Sequence, residues 1–401
     1  MTILTDAFFD SMDSSVLEVG EAESLPPECY TSPEFYAFEK EALFNHEWLC
    51  VGRTAWLARP GDYFTTMHAG EPIVVTMSRD GAIHAMSSVC QHRGMLVAEG
   101  SGNARGLVCP YHHWTYGLDG RLMGAPAMEK TCNFEGRKIS LPKFRVEDWQ
   151  GFLFVNLDKD APPLGPRLKV LSDAMANYEV PTLEGPRPNA PTRYPFNWKV
   201  MLENNNDGYH ANKLHAGPLH DFIPSELAEF PEFPSEAAGY MRFNRTLHRD
   251  VGFNAVQKAV LPILPGLTEA ERNRVMFVNV PPTLSMVMMS DFVLYLILHP
   301  QSAETHAMSM GWLVKAGAMD EPLFNERMDM NMAGAMTITA QDQHVDEMVQ
   351  IGLGSQYAPR GRYSWQEQAQ QQLNVWLVQR YRKGWEQMKA SVDEPRPRVP
   401  A

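Results

Sequence analysis

Four residues in the first third of the chain carry the donor types that metals take. Cys90 and His92 lie in CQHRG (Cys90–Gly94), and Cys109 and His112 lie in CPYHHWTYG (Cys109–Gly117). Two thiolates and two neutral imidazoles in this Cys-x-His, Cys-x-x-His pattern can hold one zinc ion tetrahedrally. They can also hold a [2Fe–2S] cluster, with the cysteines on one iron and the histidines on the other. The loop residues favour the cluster. Gly94 follows His92, and Pro110 and Gly117 bracket His112, which suits two opposing turns around a compact inorganic core. A zinc finger would set its histidines on a helix, and no helical pattern follows His112. Spacing selects His112 over His113, which is expected to point the other way on an extended loop. Of the five cysteines, Cys29, Cys50 and Cys132 have no such partners and read as plain buried thiols. Five is too few, and odd, for a disulfide scaffold.

A second set lies in ENNNDGYHANKLH, Glu203–His215. His210 and His215 with one carboxylate would make a 2-His-1-carboxylate site, which leaves positions open for O2 and substrate. Residues five apart do not share a face of an ideal helix, so the backbone between the two histidines must be distorted or the helix must end there. Asp207 and His210, three apart, do share a face. Asp207 is thus placed to orient the His210 ring. A third ligand must come from elsewhere. TAQDQHVDEMVQIGLGS (Thr339–Ser355) is helix-like, with Val345, Met348, Val349 and Gly352 on one face, and offers Asp342, Asp346 and Glu347. His344 there reads as a surface or packing residue.

The elements that must position these residues differ along the chain. Thr31–Trp48 has a helical apolar stripe, with Thr31 and Ser32 as possible caps and Pro33 in the first turn. From about Val51 to Leu157 short apolar runs alternate with turn signals such as Arg79–Ala82 (RDGA) and Asp119–Gly120, the texture of a small all-β unit. Prolines from Pro162 to Pro195 punctuate a connection. A helical stretch is expected at Asn197–His215, ended by Pro218. Strands are expected at Val275–Val280, Leu284–Met289 and Asp291–His299, and helices at Glu321–Leu353 (continuous or broken) and Trp365–Met388.

The 401 residues carry a net charge of −13, which argues against a general nucleic-acid binder. No apolar run is long enough to span a bilayer, and the acidic N-terminus lacks the marks of a secretory signal, so a cytoplasmic location is expected.

CQHRG…CPYHHWTYGLDGRL resembles the Rieske motif of the Rieske non-haem iron oxygenases, in their large (α) terminal oxygenase component, the aromatic-ring-hydroxylating dioxygenase family. Asp207-x-x-His210-x-x-x-x-His215 resembles that family's mononuclear iron motif, and Asp342 matches its carboxylate at the start of a later helix. The resemblance implies an α+β chain: an N-terminal helical segment (1–46) packed on the catalytic domain, a Rieske [2Fe–2S] domain (47–157) and a helix-grip-like catalytic domain (158–401) with a curved antiparallel sheet and flanking helices. It implies that Cys90, His92, Cys109 and His112 hold the cluster, that His210, His215 and Asp342 hold Fe(II), and that Asp207 bridges His210 to His112 of a neighbouring subunit. It also implies a homotrimer, or a trimer with small β subunits.

No G-x-G-x-x-G follows a strand, so electrons from NAD(P)H must arrive through a separate ferredoxin or flavin reductase. The implied activity is O2-dependent hydroxylation of a small organic, aromatic substrate. The alternative is monooxygenation or N-demethylation of a quaternary ammonium or other amine, which would want an aromatic cage. Phe222, Tyr240, Phe243, Phe253 and Tyr295 are available for one. Met286, Met288 and Met289 either line an adaptable pocket or fill the sheet core. His220, near the expected pocket entrance, has either a substrate or a structural role. A Rieske electron carrier or a zinc scaffold would need no second metal with open positions.

Overall fold

The computed structural model describes residues 2–393. The β-rich stretch folds into a seven-stranded antiparallel sheet. Its order is Leu49–Arg53, Phe152–Asn156, Lys143–Trp149, Ile83–Ser87, Glu71–Met77, Asp62–His68 and Ser101–Asn103. The Asp80–Gly81 turn folds Glu71–Met77 back onto Ile83–Ser87, with Gly81 at φ +83°. That left-handed conformation is what a tight hairpin asks of glycine. A three-stranded sheet of Leu107–Val108, Thr115–Tyr116 and Leu122–Gly124 carries the second Cys/His fragment between its first two strands. A Val89–Leu96 bridge closes the first fragment into a facing turn.

A second seven-stranded antiparallel sheet runs Thr192–Tyr194, Thr305–Val314, Phe292–Ser302, Leu284–Met288, Arg274–Val280, Tyr240–Arg245 and Ala228–Glu229. It is curled, and its central strands are buried along nearly their whole length. Both faces are covered, which is why these strands read as apolar runs without alternation. Side chains alternate between the two faces. Met276, Met286, Met288 and Tyr295 pack with Trp149, Phe152 and Phe154 in one core. Phe277, Val287, Met289 and Leu294 pack on the opposite side with Phe222, Phe253 and Phe324. Met286 and Met288 therefore fill the sheet core.

The expected N-terminal helix starts where the sequence places it, because the Ser32 side chain accepts the Phe35 N–H at 3.2 Å and Pro33 follows. It ends earlier than Trp48: α-helix stops at Glu39 and widens into a π turn at Lys40–Phe44. This segment packs on the C-terminal helix Gln368–Asp393 through Phe9, Phe35, Phe38 and Tyr381. A fully buried ion pair, Lys199 Nζ to Glu39 Oε1 at 2.7 Å, ties the helix Trp198–Asn206 to both, and Tyr381 donates to the same carboxylate.

The helix Phe324–Leu353 is unbroken over 30 residues. Its orientation departs from the expected one. Met348 and Val349 are exposed, while Asp346 and Gln350 are buried. Asp346, read from sequence as a solvated acid, faces inward. Cys132 also departs from expectation: it is exposed, whereas Cys29 and Cys50 are buried. Among the described residues no helix is long and apolar enough to cross a membrane.

Candidate active site

The helix Trp198–Asn206 starts with Asn197, whose side chain accepts the Lys199 N–H at 2.9 Å. It ends at Asn206, before the histidines. Asp207 is already extended (φ −76°, ψ 113°), and His210–Asn212 forms a separate 3-10 turn. The helix expected to reach His215 is thus cut short at Asp207, and Asp207 and His210 meet without sharing a helical face. Asn206 fixes this break from below. Its amide donates to Tyr240 Oη at 2.8 Å and to Leu202 O at 2.7 Å.

The structure brings His210, His215 and Asp342 together, with their ligand atoms within 4.8 Å of one another. His210 Nε2 and His215 Nε2 are 3.1 Å apart. Asp342 Oδ1 lies 2.9 Å from His215 Nε2 and 3.5 Å from His210 Nε2. His215 Nδ1 is hydrogen-bonded to Gln341 Oε1 at 2.9 Å, and His210 Nδ1 lies 2.9 Å from Asp207 Oδ2, a close charge contact outside hydrogen-bond alignment. Partners of this kind hold the proton on Nδ1 and leave Nε2 as a lone pair. Two such lone pairs and a carboxylate oxygen then face a common point, an arrangement that a bound cation satisfies. Two imidazoles and a carboxylate suit iron(II) with open positions.

Burial works against protonation of His210, but Asp207 and Asp342 outweigh it and raise its pKa to about 9, so a cation binding at Nε2 must displace a proton. Burial pushes the Asp342 carboxyl up, yet the two histidines hold it below its ordinary value. Burial and the charge of Asp342 together raise Asp346 to about 8. Asp346 is therefore a protonated acid one turn behind the site. Gln341 was not singled out from sequence. A polar residue beside Asp342 gives no periodic signal, and only the folded geometry shows it behind His215.

At the other site Cys90 and Cys109 are buried, His112 is half-buried and His92 is exposed. The His92 and His112 rings lie 4.6 Å apart, and His92 stacks on Trp114. His112 Nδ1 is buried without a hydrogen-bond partner. Burial, with His92 and Arg93 nearby, lowers the His112 pKa and favours the neutral ring that a metal needs. Among the described residues no three of these four place ligand atoms within 4.8 Å of one another. One tetrahedral zinc would demand that closeness, whereas a two-iron cluster spreads its ligand pairs. His113 is exposed and left-handed (φ +57°), not extended as expected; its N–H donates to Cys109 O at 3.0 Å. Tyr116 Oη lies 3.3 Å from Cys90 Sγ.

The description "Ring hydroxylating alpha subunit (catalytic domain)" matches residues 173–383, and "Rieske [2Fe-2S] domain" matches residues 47–145. The chain belongs to the ring-hydroxylating α-subunit family. It is 36% identical over 209 residues to a glycine betaine monooxygenase oxygenase subunit of Chromohalobacter salexigens, covering 52% of this chain and 46% of that protein. It is 33% identical over 214 residues to a benzene 1,2-dioxygenase subunit alpha of Pseudomonas putida, covering 52% and 48%. The chain thus spans about half the length of these relatives. Its fold is similar to that of naphthalene 1,2-dioxygenase from Rhodococcus sp., with a TM-score of 0.80 at 19% identity, covering 94% of this chain and 99% of that one.

In this α-subunit chain a cavity of about 810 Å³, counted to its open mouth, lies against His210, His215 and Asp342. Its apolar walls include Phe253, Phe277, Leu294, Met308 and Met310. Of the five aromatics available for a cage only Phe253 lines it. Tyr295 and Phe243 pack on the opposite sheet face, with Tyr295 stacked edge-on against Phe152. Met308 and Met310 take the lining role considered for Met286, Met288 and Met289. The stretch after His215 borders the cavity through Leu219, Ile223 and Ser225, but His220 is not in its lining. Phe253 is held in place by Gly334. A Cβ there would lie 1.8 Å from Phe253 O, so only glycine lets that loop press onto the helix Phe324–Leu353.

Proposed function

We propose that this chain is the terminal oxygenase component of a Rieske system, hydroxylating a small organic substrate with O2 and electrons supplied by a ferredoxin or flavin reductase from NAD(P)H. The observation that carries this reading is the facing set His210 Nε2, His215 Nε2 and Asp342 Oδ1 against a mainly apolar cavity. Cys90, His92, Cys109 and His112 would hold the [2Fe–2S] cluster, and His210, His215 and Asp342 the mononuclear iron. When bound, these groups supply one-electron transfer and O2 activation.

The chain's own residues do the rest. Asp207 faces His210 Nδ1 at 2.9 Å, and Gln341, hydrogen-bonded to His215 Nδ1, holds that ring. The apolar walls exclude water and seat the substrate. Asp207 is partly exposed, as are His92 and His112. This supports a head-to-tail arrangement in which His112 of one copy meets Asp207 of the next, closed as a homotrimer, with or without β subunits. The proposed domain division is 1–46, 47–157 and 158–401. The proposed setting is the cytoplasm.

A second reading is monooxygenation or demethylation of a quaternary ammonium compound. Similarity to a glycine betaine monooxygenase subunit favours it. The test is mass spectrometry of products formed under ¹⁸O2 with a surrogate reductase. Two labelled atoms mark dihydroxylation. One labelled atom, or loss of a methyl group, marks the second reading. No reductase-dependent product from a broad substrate screen would sink the oxygenase reading.

A further inference from the structure

The cavity wall contains a fixed positive charge that no acid among the described residues pairs with. Arg242 lies in the strand Tyr240–Arg245, lines the cavity and is 5% exposed. Its Nη1 donates to Asn244 Oδ1 at 2.9 Å, and its Nε has no partner. Among the described residues no carboxylate lies within 4.0 Å of this guanidinium. The acids nearest the cavity are already engaged. Asp207 faces His210 and accepts the Tyr209 N–H at 2.6 Å, and Asp342 faces both imidazoles. Burial lowers the Arg242 pKa to about 10, with Asp207 opposing in part, so the group stays cationic at neutral pH. A buried cation without a counter-ion is unfavourable, and its free donors suit a carboxylate.

Arg242 also changes what the aromatic wall can do. It stands directly opposite Phe277 in the strand register, and its guanidinium carbon is 3.6 Å from the Phe277 ring centroid. The ring face that could receive a substrate cation already carries one.

We infer that Arg242 anchors a carboxylate, and that the substrate of this site is an organic acid whose apolar body extends along Phe253, Val287 and Leu294 toward His210 and His215. This rests on reading the cavity as the oxygenase substrate site. A plain hydrocarbon leaves the buried charge unpaired. A cation lacking an acid group meets like charge. An aromatic acid and a zwitterionic trimethylammonium acid share the required chemistry.

Isothermal titration of the iron-loaded protein with matched acid and amide pairs separates these sources. Suitable pairs are benzoate with benzamide, phenylacetate with phenylacetamide, and trimethylglycine with its amide. At least one acid is expected to bind ~10-fold or more tightly than its amide, and the pair that shows this names the source. Arg242→Gln is expected to erase that preference while leaving amide binding unchanged, and Arg242→Lys to restore part of it. Thermal melting reports folding of each variant. If no acid outbinds its amide in the unsubstituted protein, or if Arg242→Gln leaves the ratio intact, the anchor is overturned. Iron content and reductant-driven O2 uptake on the same samples judge the oxygenase reading separately. Normal values there, with no acid preference, reject the Arg242 assignment alone.

Discussion

Asp207 Oδ2 lies 2.9 Å from His210 Nδ1, across a break where the helix has already ended. The contact is made by an extended residue and a 3-10 turn, so it is not a by-product of helical spacing. Asp207→Ala is expected to leave both metals bound and to lower turnover ~100-fold or more, because His210 loses the carboxylate that faces its Nδ1. Iron analysis and single-turnover kinetics check this. Retained turnover would remove Asp207 from the electron route.

Asp342 is the only acid among the described residues whose oxygen joins the two Nε2 atoms. Asp342→Ala is expected to release the mononuclear iron and keep the cluster, so iron falls from about three to about two atoms per chain while the visible colour stays. Asp346→Asn should leave the count unchanged, since Asp346 stands behind the site as a neutral acid raised to about 8. Loss of iron from Asp346→Asn would reassign the third ligand.

The adjacent histidines offer a paired comparison. His112 has a buried, unpartnered Nδ1, whereas His113 is exposed on a left-handed turn. His112→Ala is expected to abolish the cluster's visible absorption, and His113→Ala to preserve it with a stability within about 0.5 kcal/mol of wild type. Bleaching by His113→Ala would contradict the reading drawn from spacing.

Much of this site was legible in the sequence, and the exceptions have physical causes. The Cys/His fragments and Asp207–His210–His215 are local patterns, so residue type and spacing are enough to mark them. The helix end at Asn206 was harder to place, because Asn-Asn-Asn-Asp-Gly is compatible with either a helix or a turn. The side chain of Asn206, bonded to Tyr240 from another strand, decides it. Asp346 was misread because Val345, Met348 and Val349 suggest an inward apolar face. The inward face is instead set by Asp342 and Gln350, whose amide donates to Tyr30 O at 3.2 Å. The strands Tyr240–Arg245 and Thr305–Val314 were missed, since mixed polar and apolar residues hide their period. Arg242 was hidden with the first of them.

Tyr116 Oη sits 3.3 Å from Cys90 Sγ and accepts the Gln91 N–H at 3.0 Å. A hydroxyl donating to a cluster thiolate stabilises the more negative, reduced state. Tyr116→Phe is therefore expected to lower the cluster potential by some tens of millivolts, on the order of 59 mV per tenfold change for one electron. A redox titration followed in the visible would show it. An unchanged potential would mean that the hydroxyl does not donate to that sulfur.

His299 packs on His68 where the two large sheets meet, and His306 packs on Tyr194 and Phe196; both are buried, and both are held near pKa 4, chiefly by burial. His306 Nδ1 donates to Phe196 O at 2.9 Å, which fits a neutral ring. The unfolded chain binds these protons at an ordinary histidine pKa of about 6.5. Between about 6.5 and 4 the unfolded state therefore holds more protons, so the stabilisation is complete above that window and is lost as pH falls through it. Each group accounts for at most ~3 kcal/mol of this loss. Glu203, raised to about 7 by burial, acts oppositely and weakens the fold as pH rises from about 4.5. The discriminating measurement is thus a difference between proteins. His299→Gln is expected to be less stable than wild type at pH 7.5 and to lose less on going to pH 4.5, as read from urea midpoints. Parallel curves for the two proteins would show that His299 is not a source of the acid sensitivity.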